Sequence, residues 1–160
     1  TVLKYIDIGR EDGAELLTGG RRASGDGLEN GYFVEPTVFD KVKPDMRIAR
    51  EEIFGPVLSI LRVKNFDEAM AVANDCEYGL SSSVFSNDAN DIFRFIRDIE
   101  TGMTHVNSPT TGGEAHVPFG GIKATGVGPR EQGSTSLDFY TEIKVVYVDY
   151  TGSKREGNLY

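Results

Sequence analysis

The chain has 160 residues, with 17 Lys or Arg against 25 Asp or Glu, so its formal net charge is −8. The length suits one domain with a modest core, and a hydrophobic share of 39% is typical of a globular protein. The acidic balance argues against nucleic acid or an anionic membrane as a partner, because binding either needs clustered cations. It is compatible with an anionic cofactor, since a glycine loop or a helix N-terminus can bind phosphate in an acidic protein.

Cysteine use and hydropathy predict a cytoplasmic protein. Cys76 is the single cysteine, which excludes an internal disulfide and fits a reducing compartment. No apolar run approaches the ~18 residues of a membrane span.

The chain opens on Thr1 inside a helical pattern formed by Val2, Leu3 and Ile6. We therefore expect that it is cut from a longer protein.

Helical and strand patterns alternate along the chain, which predicts an α/β fold with a mainly parallel sheet flanked by helices. The predicted elements are, in order, a helix over 2–12, a strand over 14–18, a polar loop to 30, extended chain over 32–39, a strand over 57–63, a helix from 65, a strand over 82–85, a helix from 87 or 88, a strand over 102–107, a helix over 134–139 and a strand over 142–150.

Two helices carry the strongest local signals. Asn65 and Glu68 have the spacing of a capping box at the start of the first. In the second, four apolar residues recur at i, i+3, i+4 and i+7, which predicts a buried stripe. These residues are Ile92, Phe95, Ile96 and Ile99.

The last predicted strand, from Glu142 to Tyr150, carries apolar side chains on both faces. Such a strand at the end of a chain promotes aggregation unless it is paired. Two interpretations fit the pattern equally. It is an inner strand of the domain's own sheet, or it completes the sheet of a neighbouring subunit.

Two segments carry candidate chemistry. The glycine loop, residues 118–131, sets Phe119, Lys123, Arg130 and Glu131 among glycines, which allow close approach to a ligand. The acidic loop, residues 51–56, reads Glu-Glu-Ile-Phe-Gly-Pro. A carboxylate there can accept two ribose hydroxyls, and an aromatic ring beside it is a platform for a flat base. The alternatives are a structural Arg130–Glu131 ion pair and an acidic loop edge with Phe54 in the core.

The remaining reactive residues give weaker signals. Cys76 follows a helix and lies between Asp75 and Glu77, where negative surroundings disfavour a nucleophilic thiolate. His105 lies within a strand pattern and fits a packed histidine, whereas His116 lies in a glycine-rich loop and could contact a substrate. No set of residues has metal-ligand spacing, and no dinucleotide or phosphate-loop fingerprint is present.

Several motifs in one order resemble the NAD(P)-dependent aldehyde dehydrogenase superfamily over about residues 1–150. They are Glu51 to Pro56, Tyr78-Gly79-Leu80, Val106-Asn107, Pro118 to Lys123, Gly126, Arg130-Glu131 and Tyr140 to Lys144. The resemblance implies that residues 1–124 are the C-terminal part of the catalytic domain. Residues 125–150 would be a closing helix and an oligomerisation strand, followed by a polar tail over 151–160.

The resemblance also implies roles for individual residues. Glu52 would bind the nicotinamide-side ribose of NAD or NADP, and Phe54 would pack beside the nicotinamide. Asn107 and Phe119 would line the aldehyde tunnel. Glu131 would act in a proton relay, although Pro129 stands where the family commonly runs directly from Gly to Arg-Glu.

The function implied is oxidation of an aldehyde to a carboxylic acid by NAD(P)⁺, through a thiohemiacetal on a cysteine upstream of Thr1. The nucleophile and the general base would both be missing, so this piece alone would be inactive. The loop over 107–117 is polar and small, as in bacterial members that oxidise polar semialdehydes such as 2-oxoglutarate semialdehyde. The alternative is a non-catalytic module that self-associates through residues 142–150 into a homo-oligomer.

Overall fold

A computed structural model describes residues 1–25, 27–148, 150 and 152. The helices are α1 (Val2–Glu11), α2 (Arg47–Arg50), α3 (Phe66–Asn74), α4 (Ala89–Asp98) and α5 (Ser136–Tyr140). The strands are β1 (Glu15–Thr18), β2 (Thr37–Asp40), β3 (Val57–Ser59), β4 (Tyr78–Gly79), β5 (Ser81–Val84), β6 (Met103–Val106) and β7 (Ile122–Lys123). Single 3-10 turns occur at Leu28–Asn30 and Gly133–Thr135.

The strands form small sheets, and the predicted α/β class is confirmed. β2 pairs in parallel with β3, and β5 pairs in parallel with β6 across the α4 crossover. The prediction of mainly parallel pairing is met by only two of the four strand pairs among the described residues. The other two pairs, β1–β2 and β4–β7, are antiparallel. Between β1 and β2 the described residues form no α-helix, and a parallel pairing of two successive strands needs such a crossover.

The hydrophobic core lies between α1, β2 and the region around α2. Ile6 and Phe39 are both 0% exposed and are its largest fully buried side chains. The other buried members are Ala14, Val42, Met46 and Ile48. This core therefore fixes α1 against the segment that leads into the acidic loop.

The predicted cap of α3 is confirmed. Asn65 Oδ1 accepts a hydrogen bond of 2.9 Å from the Glu68 amide. The Glu68 carboxylate accepts from the amide of Lys64 at 2.6 Å, one residue before the position that a capping box uses.

The predicted buried stripe of α4 is correct only in part. α4 begins after Asp88, whose Oδ1 accepts from the Asn90 amide at 2.7 Å. Phe95 is 6% exposed, but Ile96 is 50% exposed.

The C-terminal segment forms no strand over residues 141–148. Ile143 is 91% exposed and Tyr147 is 89% exposed. The interpretation of an inner strand is therefore wrong for the described residues, because a strand needs a hydrogen-bonded neighbour. Pairing with another subunit stays a prediction. Residues 149, 151 and 153–160, which include most of the expected polar tail, lie outside the described residues. None of the helices described is long and apolar enough to cross a bilayer.

Replacing Phe39 tests the core. Phe39→Ala leaves a cavity beside Ile6 and should destabilise the protein by about 3–5 kcal/mol. Phe93→Ala on α4 is the matched control, because Phe93 is 71% exposed, and we expect it to cost no more than about 0.5 kcal/mol. Urea unfolding measures both. Similar losses for the two variants would mean that Phe39 is not a core residue.

Candidate functional site

The glycine loop is held to the rest of the chain through Lys123. β7 pairs antiparallel with β4, which sets Lys123 opposite Tyr78. Lys123 Nζ donates to the carbonyl oxygens of Asn74 at 2.7 Å and Cys76 at 3.1 Å, and it forms an ion pair with Glu100 at 2.5 Å. Lys123 therefore caps the C-terminal end of α3 and anchors the loop there.

Arg130 and Glu131 close the glycine loop on itself. Arg130 Nη1 donates to the carbonyl oxygen of Gly121 at 2.6 Å, and the Glu131 amide donates to the carbonyl oxygen of Phe119 at 3.0 Å. The two charged side chains form no ion pair with each other among the described residues, so the predicted structural pair is absent there. Phe119, Arg130 and Glu131 instead line one small pocket of about 90 Å³, called here the Phe119 pocket.

A larger cleft of about 670 Å³ lies on the other side of Phe119 and is called here the β6 cleft. β6 contributes Met103, Thr104 and His105 to its wall. The loop that follows β6 contributes Thr110, Thr111, Gly112, Gly113 and Glu114. Within the described part of the chain, the lining combines hydroxyls, one imidazole and one carboxylate with apolar side chains such as Leu80, Val117 and Phe119, and it includes no Lys or Arg.

Asn107 orients the loop that follows β6. Its backbone has a φ of 53°, a left-handed conformation that asparagine tolerates better than most residues. Its side-chain oxygen accepts from the Ser86 amide and its side-chain nitrogen donates to the Ser86 carbonyl, each at 3.0 Å. Both polar groups of the amide are therefore engaged with Ser86, so Asn107 shapes the loop through its backbone direction.

The acidic loop presents its side chains to solvent. Phe54 is 89% exposed and has a φ of 50°, so the interpretation that placed this ring in the core is wrong. Glu52 is also exposed. No hydrogen bond or ion pair of the Glu52 carboxylate is found among the described residues. The loop therefore exposes a carboxylate and an aromatic ring two positions apart in the chain.

The preceding residue, Glu51, is held firmly. Its Oε1 accepts from Arg47 Nε at 2.7 Å, and its Oε2 accepts from Arg47 Nη2 at 2.8 Å and from the Tyr5 hydroxyl at 2.8 Å. The Arg47 guanidinium also lies over the Tyr5 ring, 5.6 Å from its centroid. The hydrogen bonds from Arg47 and then from Tyr5 lower the pKa of Glu51 from 4.5 to about 2.

The sequence analysis missed this Tyr5–Arg47–Glu51 cluster. The i, i+4 spacing of Arg47 and Glu51 was an available signal. Tyr5 lies 46 residues from Glu51, and nothing in the local pattern joins the two.

The remaining candidates lie apart from both cavities. Cys76 is partly buried, accepts a hydrogen bond from the Tyr78 amide at 3.4 Å, and lines neither the Phe119 pocket nor the β6 cleft. His116 is exposed and pairs with Glu114 at 3.3 Å. Glu52 and Phe54 line neither cavity, so the described residues present the acidic loop and the aldehyde-side candidates as separate surfaces.

Comparison with known proteins identifies the family. The chain matches the aldehyde dehydrogenase family over residues 1–146 and belongs to it. An alpha-ketoglutarate semialdehyde dehydrogenase of Haloferax volcanii is 52% identical over 94% of this chain and 31% of its own length. An alpha-ketoglutaric semialdehyde dehydrogenase of Bacillus subtilis is 42% identical over 91% of this chain and 30% of its own length. The family resemblance found in the sequence is confirmed.

Solved structures agree with this result. An aldehyde dehydrogenase of Mycobacterium tuberculosis complexed with NAD⁺ matches with a TM-score of 0.79 and 40% identity, over 88% of this chain and 28% of that one. HpcC from Thermus thermophilus matches with a TM-score of 0.82 and 40% identity, over 95% of this chain and 31% of that one. The chain thus spans about a third of the length of these relatives.

The lowered pKa of Glu51 predicts a pH-dependent contribution to stability. A carboxyl group whose folded pKa is depressed stabilises the fold above its unfolded pKa, and this stabilisation is lost as pH falls through the folded pKa. The wild-type protein should therefore melt at a higher temperature than Glu51→Gln at neutral pH. The difference should shrink between pH 4.5 and about 2. Thermal unfolding across this range measures it, with Glu77→Gln, at an exposed glutamate, as the control. A difference that stays constant with pH would contradict the assignment.

Proposed function

We propose that the protein is an oxidoreductase that oxidises an aldehyde to a carboxylic acid with NAD(P)⁺. In this proposal the chain supplies the nicotinamide side and the aldehyde side of the active site. The observation that carries it is the acidic loop of a family member, in which Glu52 and Phe54 are both exposed and stand two positions apart in the chain.

The residues of the acidic loop fit a nicotinamide nucleotide. The Glu52 carboxylate has two oxygens free to accept from the two hydroxyls of a ribose, which a neutral side chain would bind more weakly. The Phe54 ring offers a flat apolar face of the size that a planar base packs against. The cofactor, when bound, accepts the hydride from the substrate. Structures of relatives complexed with NAD⁺ support this role, and the choice between NAD⁺ and NADP⁺ is left to the assay.

We assign the aldehyde side to the surfaces around Phe119. The ring lines both the Phe119 pocket and the β6 cleft. Glu131 lies in the Phe119 pocket with an exposed carboxylate, and we propose it as the proton-relay residue. Asn107 sets the direction of the loop that follows β6. The hydroxyls of Thr110 and Thr111 favour an aldehyde with a polar tail. The names of the relatives at 52% and 42% identity support a semialdehyde of a 2-oxo acid.

We place the nucleophilic cysteine outside this chain. Cys76 lines neither cavity and follows the negative end of α3, where a thiolate is disfavoured. The chain would therefore bind and orient the reactants, whereas bond formation to the aldehyde carbon would take place on a residue of the longer protein. The free thiol of Cys76 also supports a reducing compartment such as the cytoplasm.

We also propose that residues 142–148 form a strand by pairing with a second copy of the protein. The apolar side chains of the segment are exposed, with Val145 and Val146 at 66% and 64% exposure. Contiguous apolar surface of this kind is stabilised when it is covered. If the protein were a purely non-catalytic module, this association would be its whole function. An assay of aldehyde oxidation by the wild-type protein separates that alternative from the enzyme.

Glu52→Gln tests the enzymatic proposal in the full-length protein. Oxidation of a 2-oxo acid semialdehyde should depend on NAD⁺ or NADP⁺. The variant should lose about tenfold or more in kcat/KM, because a charge-assisted bond to the ribose is weakened. Glu11→Gln, at an exposed glutamate of α1, is the control and should behave as wild type. Wild-type protein that forms oligomers without any aldehyde oxidation would favour the non-catalytic module, and an unchanged Glu52→Gln would remove Glu52 from the site.

Val146→Pro tests the association segment. Proline removes an amide donor and cannot continue an inner strand, so the variant should shift the protein toward monomer. Val146→Thr keeps the amide and the strand preference and should leave the oligomer intact. Light scattering after size-exclusion chromatography measures the mass of each species. Oligomers that persist in the proline variant would place the interface elsewhere.

A further inference from the structure

The acidic loop is attached to α1 at both of its ends. At the front, Glu51 accepts three hydrogen bonds, two from Arg47 and one from the hydroxyl of Tyr5, which is a residue of α1. Glu51 is also the residue at which α2 ends, and its amide donates to the Arg47 carbonyl oxygen at 2.9 Å. Both the backbone and the side chain of Glu51 are therefore fixed.

At the back, the loop lies directly on the start of α1. A Cβ placed on Gly55 would come within 2.5 Å of Val2 Cγ2, so only glycine fits there without a shift. The carbonyl oxygens of Gly55 and Pro56 accept from the amides of Val57 and Thr37, both at 2.8 Å. The chain is thereby joined to β2 and β3 as it leaves the loop.

Between these attachments, Glu52 and Phe54 extend away from the fold. Phe54 keeps a φ of 50°, a conformation that is unfavourable for a bulky residue and persists only where the surroundings determine it. The fixed ends of the loop are those surroundings. A loop without them would relax its backbone and turn the ring away.

We propose that Tyr5, Arg47 and Glu51 are positioning residues, which hold the acidic loop so that Glu52 and Phe54 face the nicotinamide nucleotide before it binds. The inference rests on the proposed function of this loop and adds residues that touch neither cofactor nor substrate. Its physical basis is preorganisation. A loop that is already ordered loses less conformational freedom when the nucleotide binds, so the affinity is higher.

Tyr5→Phe is the sharpest test, because it removes the hydroxyl and keeps the ring over which Arg47 lies. In the full-length protein, hydrogen–deuterium exchange of the amides over 51–57 should become faster. The Kd for NAD⁺ by calorimetry and the KM for NAD⁺ should rise about three- to tenfold, the effect of losing one ordinary hydrogen bond. The kcat at saturating cofactor should change less than about twofold, because the chemistry is elsewhere. Glu51→Gln should act in the same direction, more strongly.

The chain offers a matched control. Arg94 also pairs with a carboxylate, that of Asp67, and also lies over an aromatic ring, that of Phe66, at 5.0 Å. This second cluster joins α3 and α4 and does not contact the acidic loop. Asp67→Asn should therefore leave loop exchange and the Kd for NAD⁺ unchanged. If lower stability alone caused the effects on the loop, Asp67→Asn would show faster loop exchange and weaker NAD⁺ binding at a similar fall in Tm, and that result would overturn the inference.

Each outcome decides between the proposals. Faster exchange with weaker NAD⁺ binding supports the inference. Unchanged exchange in Tyr5→Phe and Glu51→Gln overturns the positioning role, even when wild-type protein oxidises aldehydes normally. Faster exchange with an unchanged Kd overturns the link to the cofactor. Wild-type protein that binds neither NAD⁺ nor NADP⁺ overturns the proposed function and with it the inference.

Discussion

The close approach of α1 to β2 and α2 is the contact on which the rest of the candidate site depends. A Cβ at Gly9 would lie 3.0 Å from Ile48 Cδ1 and 3.1 Å from Phe39 Cζ. The helix can therefore lie this close only because residue 9 has no side chain, and interiors packed at this density leave little room for adjustment. Val2 and Tyr5 lie on the same face of α1 as Gly9, at i−7 and i−4, and they hold the two ends of the acidic loop. The packing of α1 in the core therefore also determines the position of the acidic loop.

Three of the four non-glycine residues with positive φ that the structure describes lie in the candidate loops, and the fourth, Lys41, directly follows β2. Phe54, Asn107 and Lys123 all have φ between 50° and 54°, and each such residue costs of order 1–3 kcal/mol. Different contacts offset the cost at each position. The side-chain amide of Asn107 accepts from the Ser86 amide and donates to the Ser86 carbonyl oxygen. Lys123 donates to two carbonyl oxygens at the end of α3. Asn107 and Lys123 are therefore held by contacts to other elements, and Phe54 by the two fixed ends of its loop.

The features that the sequence predicted correctly are local ones. The cap at Asn65 depends on residues within one helical turn, and the α/β alternation depends on periodicity within single elements. The features that it missed are short or distant in the chain. α2 has 4 residues, too few to show a period, and Tyr5 meets Glu51 across 46 residues. The C-terminal segment shows a third limit. Its β-type pattern was recognised, but a pattern cannot state which neighbour supplies the hydrogen bonds.

The lining of the β6 cleft constrains the substrate that the proposed enzyme would select. Lys123, the lysine of the glycine loop, is engaged with two carbonyls and with Glu100, so it is unavailable to a carboxylate tail. Arg130 lines the Phe119 pocket but not the β6 cleft. A tail in the cleft would meet the hydroxyls of Thr104, Thr110 and Thr111. Hydrogen bonds between neutral groups contribute about 0.5–1.5 kcal/mol each, whereas those to charged groups contribute about 1.5–3 kcal/mol. The described lining also includes apolar side chains and the Glu114 carboxylate but no cation, so the cleft would hold a polar tail through these hydroxyls and not through an ion pair.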